Sequence, residues 1–235
     1  VIPARFGATR FPGKPIALLW GRPLIQHVWE RARRVAGLDG LVIATDDERI
    51  AAVARGFGAE VEMTASDCAS GTDRAAEVAR RRTNADIVVN LQGDEPELDA
   101  EAVGSMIAAL RSDPSLDMAT LAHAFDDPAG LASPDVVKVF VDEAGFATDF
   151  TRDDPSKRPP RGKTLRHIGV YGFRRPFLIE FASWPSGARE KSERLEQLRA
   201  LERGVRIRVV VSGNEAQGID TPEQLAALEA RGPRE

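Results

Sequence analysis

Short, uninterrupted apolar runs alternate with amphipathic stretches along the first hundred residues. Leu41-Val42-Ile43-Ala44 stops at Thr45-Asp46, and Ile87-Val88-Val89 leads into Gln92-Gly93-Asp94. Both runs are rich in β-branched residues and lack polar alternation, so they predict strands buried on both faces of a parallel sheet. Val1-Ile2 reads as the end of another strand, too short to stand alone and expected to extend on the amino side of Val1. After Pro23, residues Leu24, Ile25, Val28, Trp29, Ala32 and Val35 make one apolar stripe at helical spacing, with Glu30, Arg31, Arg33 and Arg34 largely off it. Residues 47–57 and 70–82 repeat that arrangement more weakly. The alternation predicts an open α/β sheet with right-handed crossovers.

The second half changes character. Val136 to Phe140 and Phe146 to Phe150 flank Asp142-Glu143-Ala144-Gly145, the pattern of a β-hairpin. A loop rich in Pro, Lys and Arg follows at 153–163. Arg166 to Arg174 predicts a strand, residues 190–203 a charged helix with Glu193 and Gln197 on one face, and Ile207 to Val211 a further strand. Thr221-Pro222-Glu223 opens a last helix, with Thr221 as N-cap and Pro222 at the first helical position. No repeat or linker divides the chain. The expectation is a single α/β domain over 1–235, with an antiparallel excursion forming a smaller lobe at about 130–200.

Composition narrows the function. The 235 residues are 43% hydrophobic and 29% charged, as in ordinary globular proteins, and no apolar run reaches the length of a membrane-spanning helix. A net charge of −4 argues against a general nucleic-acid binder. The single cysteine, Cys68, forms no intrachain disulfide, which fits a reducing compartment. No secretory signal is visible at the start of the sequence.

Three segments carry candidate chemistry, each just after a strand. Pro3-Ala4-Arg5-Phe6-Gly7-Ala8-Thr9-Arg10-Phe11-Pro12-Gly13-Lys14-Pro15 combines turn formers with Arg5, Arg10 and Lys14. Backbone amides and mobile cations in so short a stretch suit a triphosphate, although a solvated basic loop would have the same composition. The spacing is not that of a Walker A loop. Asn90-Leu91-Gln92-Gly93-Asp94-Glu95-Pro96 ends a buried strand, where open α/β sheets bind ligands. There Asp94 could be a Mg²⁺ ligand or merely a turn residue. Gly218-Ile219-Asp220-Thr221-Pro222-Glu223 offers a second carboxylate, Asp220, which could equally serve the helix N-terminus.

Taken together, Pro-Ala-Arg, Thr-Arg-Phe-Pro-Gly-Lys-Pro, Gln-Gly-Asp-Glu-Pro and Gly-x-Asp-Thr-Pro-Glu resemble the signature segments of the 3-deoxy-manno-octulosonate (Kdo) cytidylyltransferases. Ser70-Gly71-Thr72-Asp73-Arg74, Arg166-His167-Ile168-Gly169-Val170-Tyr171 and Leu195-Glu196-Gln197-Leu198-Arg199 extend the resemblance. It runs from Pro3 to about Leu228. It implies a Rossmann-like nucleotide-diphospho-sugar transferase fold with a central mixed sheet, and transfer of CMP from CTP to Kdo for lipopolysaccharide synthesis. By the same resemblance Arg5 and Lys14 bind the phosphates with help from Arg10, and Asp94 and Asp220 hold Mg²⁺. Pro3, Ala4, Ser70, Gly71 and Arg74 frame the nucleotide. Gln92, Arg152, His167 and Tyr171 orient the sugar, with Glu196 and Gln197 as further candidates for its hydroxyls. A cytoplasmic homodimer is also implied.

The sequence departs from the family at three places, one of them Thr148-Asp149-Phe150-Thr151 before Arg152, where the family tends to have an apolar residue and an aromatic before Phe-Ser-Arg. Cys68 stands where the family usually has His, and the 153–163 loop is shorter and more polar, so 8-amino-Kdo or a sialic acid is an alternative substrate. A glycosyltransferase would place an Asp-x-Asp motif after the strand, and Asp94 has no Asp two positions on. A non-catalytic homologue would be expected to have lost the carboxylates or cations that this chain keeps.

Overall fold

In a computed structural model, residues 1–7, 10–125, 129–157, 162–214 and 218–233 are described. Parts of the basic loop (residues 8–9) and of the polar loop (residues 158–161) therefore lie outside the described residues. The strands are β1 (Ile2–Ala4), β2 (Leu18–Leu19), β3 (Arg22–Pro23), β4 (Val42–Thr45), β5 (Glu60–Met63), β6 (Ile87–Asn90), β7 (Met118–His123), β8 (Lys138–Val141), β9 (Ala147–Thr151), β10 (Lys163–Arg174) and β11 (Ile207–Val211). The helices are α1 (Leu24–Ala32), α2 (Glu48–Gly56), α3 (Gly71–Arg81), α4 (Ala100–Ser112), α5 (Ala129–Ala132), α6 (Arg175–Ser183), α7 (Ala188–Glu193), α8 (Leu198–Leu201) and α9 (Pro222–Arg231).

β1 pairs in parallel with β4, and β4 with β5. The amino group of Val1 donates to the Val89 carbonyl at 2.7 Å, and Leu91 N–H donates to the Val1 carbonyl at 2.9 Å, which joins β1 to β6. β10 then runs antiparallel between β6 and β7, and β11 lies parallel to β7. The amino half of β10 pairs with β8, which forms the expected hairpin with β9. The result is a mixed central sheet with an antiparallel excursion.

Period-two alternation buries both sheet faces. Val89, Ala119 and Leu121 join one core with α1 and α4, whereas Val88, Met118 and Ala122 join another with α3 and α6. This explains the continuous apolar runs. β7 reads Met-Ala-Thr-Leu-Ala-His and lacks the β-branched signature, yet all six residues are buried because β10 and β11 flank it. Neither β7 nor α4 is apparent from periodicity. α4 starts at the Asp99 N-cap, and its alanines blunt the contrast between its faces.

One expectation fails. Residues 190–203 are not a continuous helix: Arg194 adopts a left-handed conformation (φ 56°) and separates α7 from α8. Glu193 and Gln197 therefore do not share a helix face. Tertiary bonds explain the break, since Glu193 accepts from Arg152 N–H while Glu196 reaches Thr72.

The β10–β7 register shifts between Ile168 and Tyr171. Thr120 Oγ1 fills the irregularity, donating to the Val170 carbonyl at 2.8 Å and pairing with His167 Nε2 at 3.0 Å. His167 packs edge-on against Phe150 and tilts against Tyr171, with ring centroids 5.1 and 5.5 Å away. His167 and Tyr171 thus share a face, as the strand period predicts. Burial first, and the Arg152 charge second, lower the His167 pKa to about 3.

Two stability predictions follow from these contacts. Unfolded His167 would protonate near pH 6.5 but the folded residue only near pH 3, so stability falls as pH drops through that window. Between pH 7 and pH 5 this group should cost about 2 kcal/mol. Urea titrations of His167→Gln at both pH values should show that part of the difference gone; an unchanged difference would refute it. At Gly93 a Cβ would lie 2.9 Å from the Pro3 carbonyl oxygen, a backbone atom with little room to move. Gly93→Ala should lose about 1–3 kcal/mol in the pH 7 titration.

Candidate active site

The loop after β1 is shaped by local contacts. Gly13, at φ 73°, lies against the Phe6 ring, and its N–H donates to the Phe6 carbonyl at 2.9 Å. The Arg49 guanidinium covers that ring at 3.3 Å and is itself gripped by Asp47. A 3₁₀ turn over Lys14–Ile16, with Pro15 buried, then directs Lys14 back towards the sheet.

Lys14 Nζ donates to Asp94 Oδ2 at 2.5 Å and to the Ile219 carbonyl at 2.6 Å, and lies 3.5 Å from Asp220 Oδ1. Arg10 pairs with Asp220 Oδ2 at 2.9 Å, and Ile219 N–H donates to the Asp94 carbonyl. Two carboxylates 126 positions apart therefore meet on one ammonium at the carboxyl end of the sheet. Arg5 is exposed and borders the same cleft, so three cations face two carboxylates, a balance that favours an anionic ligand.

The cleft holds about 370 Å³ and is bordered by Pro3, Ala4, Arg5, Lys14, Ser70, Gly71, Arg74, Gln92 and Asp94. Ser70 caps α3 in a reciprocal capping box with Asp73. Arg74 is buried in the floor, bonded to Thr64 Oγ1 and to Asp46 at 3.0 Å, so its charge is already compensated. Cys68 sits half-buried on the wall; its thiol donates to Glu77 at 3.4 Å, and burial pushes its pKa up. A larger hollow of about 710 Å³ opens at the amino ends of β1, β4 and β6, bordered by none of the predicted site residues.

The remaining candidates adjoin this cleft through two links. Gln92 Nε2 donates to the Gly169 carbonyl of β10 at 2.6 Å. Glu196 accepts from Thr72 at 2.7 Å and from Ser70 at 3.2 Å, bringing the segment after α7 to the start of α3. Burial raises the Glu196 pKa, with the Thr72 hydrogen bond and Arg199 opposing. Tyr171 is buried, and its hydroxyl pKa is raised by burial first and then by Glu196 and Glu95. The Arg152 charge acts on both His167 and Tyr171, which groups these three side chains. Gln197 is buried, and its Nε2 has no hydrogen-bond partner among the described residues.

Two buried charges lie in segments that share the family resemblance, Glu95 in Gln-Gly-Asp-Glu-Pro and Lys138 in Val137-Lys138-Val139, but sequence reasoning gave neither a role. Glu95 is 7% exposed, and one carboxylate oxygen lacks a hydrogen-bond partner. Burial, then the neighbouring Asp94, push its pKa up to about 8. Its place in the Gln92–Pro96 motif was the available signal. Lys138 is fully buried, and a lysine in the run Val136–Val141 was the signal there.

Mg²⁺ characteristically takes one or two carboxylates together with phosphate oxygens. Asp94 and Asp220, already sharing one cation, fit that donor set. Among the described residues no group of three or more His, Cys, Asp or Glu side chains could hold a metal by itself, so phosphate or water would complete the coordination.

The cytidylyltransferase family profile matches residues 1–207. The chain is 49% identical over 242 residues to a 3-deoxy-manno-octulosonate cytidylyltransferase of Anaeromyxobacter sp. (strain Fw109-5), covering all of this chain and 98% of the relative. It is 48% identical over 228 residues to the enzyme of the same name from Solibacter usitatus (strain Ellin6076), covering 96% and 90%. The structure of CMP:2-keto-3-deoxy-manno-octonic acid synthetase complexed with CTP superposes with a TM-score of 0.91 at 41% identity, covering 98% of this chain and 95% of that one. A 4-diphosphocytidyl-2C-methyl-D-erythritol synthase from Anaerococcus prevotii DSM 20548, at TM-score 0.64 and 13% identity, shares the fold. With its signature segments gathered at one sheet edge and this identity over nearly its whole length, the chain belongs to the 3-deoxy-manno-octulosonate cytidylyltransferase family.

Proposed function

We propose that the chain transfers CMP from CTP to 3-deoxy-manno-octulosonate and releases pyrophosphate. The observation that carries the reading is Lys14 held between Asp94 and Asp220, beside Arg10 and Arg5. In the reaction a bond forms between the sugar C2 oxygen and the α-phosphorus while the bond to the bridging oxygen of the departing pyrophosphate breaks.

Arg5 and Lys14 bind the phosphates and offset the charge that grows on pyrophosphate, with Arg10 assisting. Pro3, Ala4, Ser70 and Gly71 frame the nucleotide, and Arg74 stiffens the floor beneath it. Gln92, Arg152, His167 and Tyr171 orient the sugar; a guanidinium suits its carboxylate. Glu196 is committed to Ser70 and Thr72, so its part is to tie the sugar side to the nucleotide side. Asp94 and Asp220 would hold Mg²⁺. When bound, that ion neutralises phosphate charge and lowers the pKa of the attacking hydroxyl. Nucleotidyl transfer rests on positioning and charge stabilisation, so no protein general base is assigned. A cytoplasmic homodimer belongs to the same proposal.

The test is pyrophosphate release in Mg²⁺, crossing the four nucleoside triphosphates against Kdo, 8-amino-Kdo and a sialic acid. Turnover confined to CTP with Kdo is expected. Turnover with CTP and another acidic sugar would move the substrate, and silence from folded protein would overturn the catalytic reading. Asp94→Asn should lower kcat by about 10²–10³-fold with its circular dichroism unchanged; near-normal turnover would remove Asp94 from the mechanism.

A further inference from the structure

Lys138 is fully buried at the first position of β8, where an aliphatic residue would satisfy the core at no electrostatic cost. An ammonium has three donors. All three go to backbone carbonyls: Ser133 at 2.6 Å, Val136 at 2.9 Å and Arg152 at 2.9 Å. Burial lowers the Lys138 pKa, while the acidic neighbours Asp154, Asp153 and Glu193 support its charge. The cation thus joins the turn before β8 to the exit of β9, just beyond the Lys138–Thr151 pair that ends their ladder.

Arg152 is held elsewhere too. Its N–H donates to Glu193 Oε2 at 3.0 Å, and its Nε donates to the Glu193 carbonyl at 3.1 Å. One terminal nitrogen reaches the Pro134 carbonyl at 3.4 Å. Carbonyl, amide and guanidinium base are all pinned, while the charge of the group acts on His167 and Tyr171. The half-buried Arg152 side chain is thus held between the end of α7 and the turn before β8. We infer that Lys138 is a positioning residue for the acidic sugar: by holding the Arg152 carbonyl it sets where the guanidinium meets the sugar carboxylate. The inference rests on Arg152 being the sugar-side cation of the proposed function.

The experiment measures KM for Kdo and for CTP separately, using the full chain. It compares Lys138→Met, Lys138→Arg, Arg152→Ala and the two double variants, each checked for folding by thermal melting. Lys138→Met should raise KM for Kdo by about tenfold and leave KM for CTP within about twofold. Lys138→Arg keeps the charge but offers a planar fork to three converging carbonyls, so it should raise the Kdo KM in the same direction even if the Met variant fails to fold. In the Arg152→Ala background neither substitution should add to the Kdo KM. A buried lysine serving stability alone would shift the melting temperature and leave the KM values unchanged. A wild-type Kdo KM in every folded position-138 variant overturns the inference, as does an increase that persists undiminished without Arg152. A wild-type Kdo KM in Arg152→Ala itself overturns the reading of Arg152, and the inference with it.

Discussion

The meeting of Asp94 and Asp220 on the Lys14 ammonium is the contact around which the cleft is built. Two carboxylates near one another repel, and a cation between them removes that cost while keeping both oriented. Each partner comes from a different part of the chain: Lys14 from the loop after β1, Asp94 from the turn after β6, Asp220 from the segment entering α9. The Ile219–Asp94 backbone bond and the close approach of Gly93 to Pro3 hold these segments in register. The loop that bears Lys14 is braced from behind by Phe6 and Arg49.

β10 performs the corresponding task for the proposed sugar side. Its carboxyl half completes the central sheet between β6 and β7, and its amino half supports the β8–β9 hairpin. One strand therefore carries His167 and Tyr171 into the region where Gln92 and Arg152 arrive from separate elements. Glu196 closes the arrangement by bonding to Ser70 and Thr72, so a shift of the segment after α7 would be felt at the start of α3.

Buried charge is concentrated around this region. Arg74, Glu95, Lys138 and Arg199 are all at most 7% exposed. Three of them have their charge answered by named groups: Arg74 by Asp46, Lys138 by three carbonyls, and Arg199 by Glu190. Glu95 is the exception, with burial and Asp94 both favouring its neutral form. Packing alone does not call for such groups.

Much of this was legible in the residues themselves. The apolar runs at 41–44 and 87–89 gave buried strands because helices cover both faces of the central sheet, and Thr221-Pro222 gave a helix start because capping is local chemistry. The family resemblance of their motifs named Lys14, Asp94 and Asp220 as candidates for one site. Other features depended on distant partners. β7 is a strand because its neighbours complete it, and the 190–203 segment breaks at Arg194 because Glu193 and Glu196 bond in different directions. The sequence by itself determined the elements that local chemistry sets and named the candidates for the site. Only the tertiary structure decided which carboxylates share a cation, because contacts across 80 to 206 positions leave no local pattern, and that the lysine at 138 is buried, because its carbonyl partners converge only once the chain turns before β8 and leaves β9.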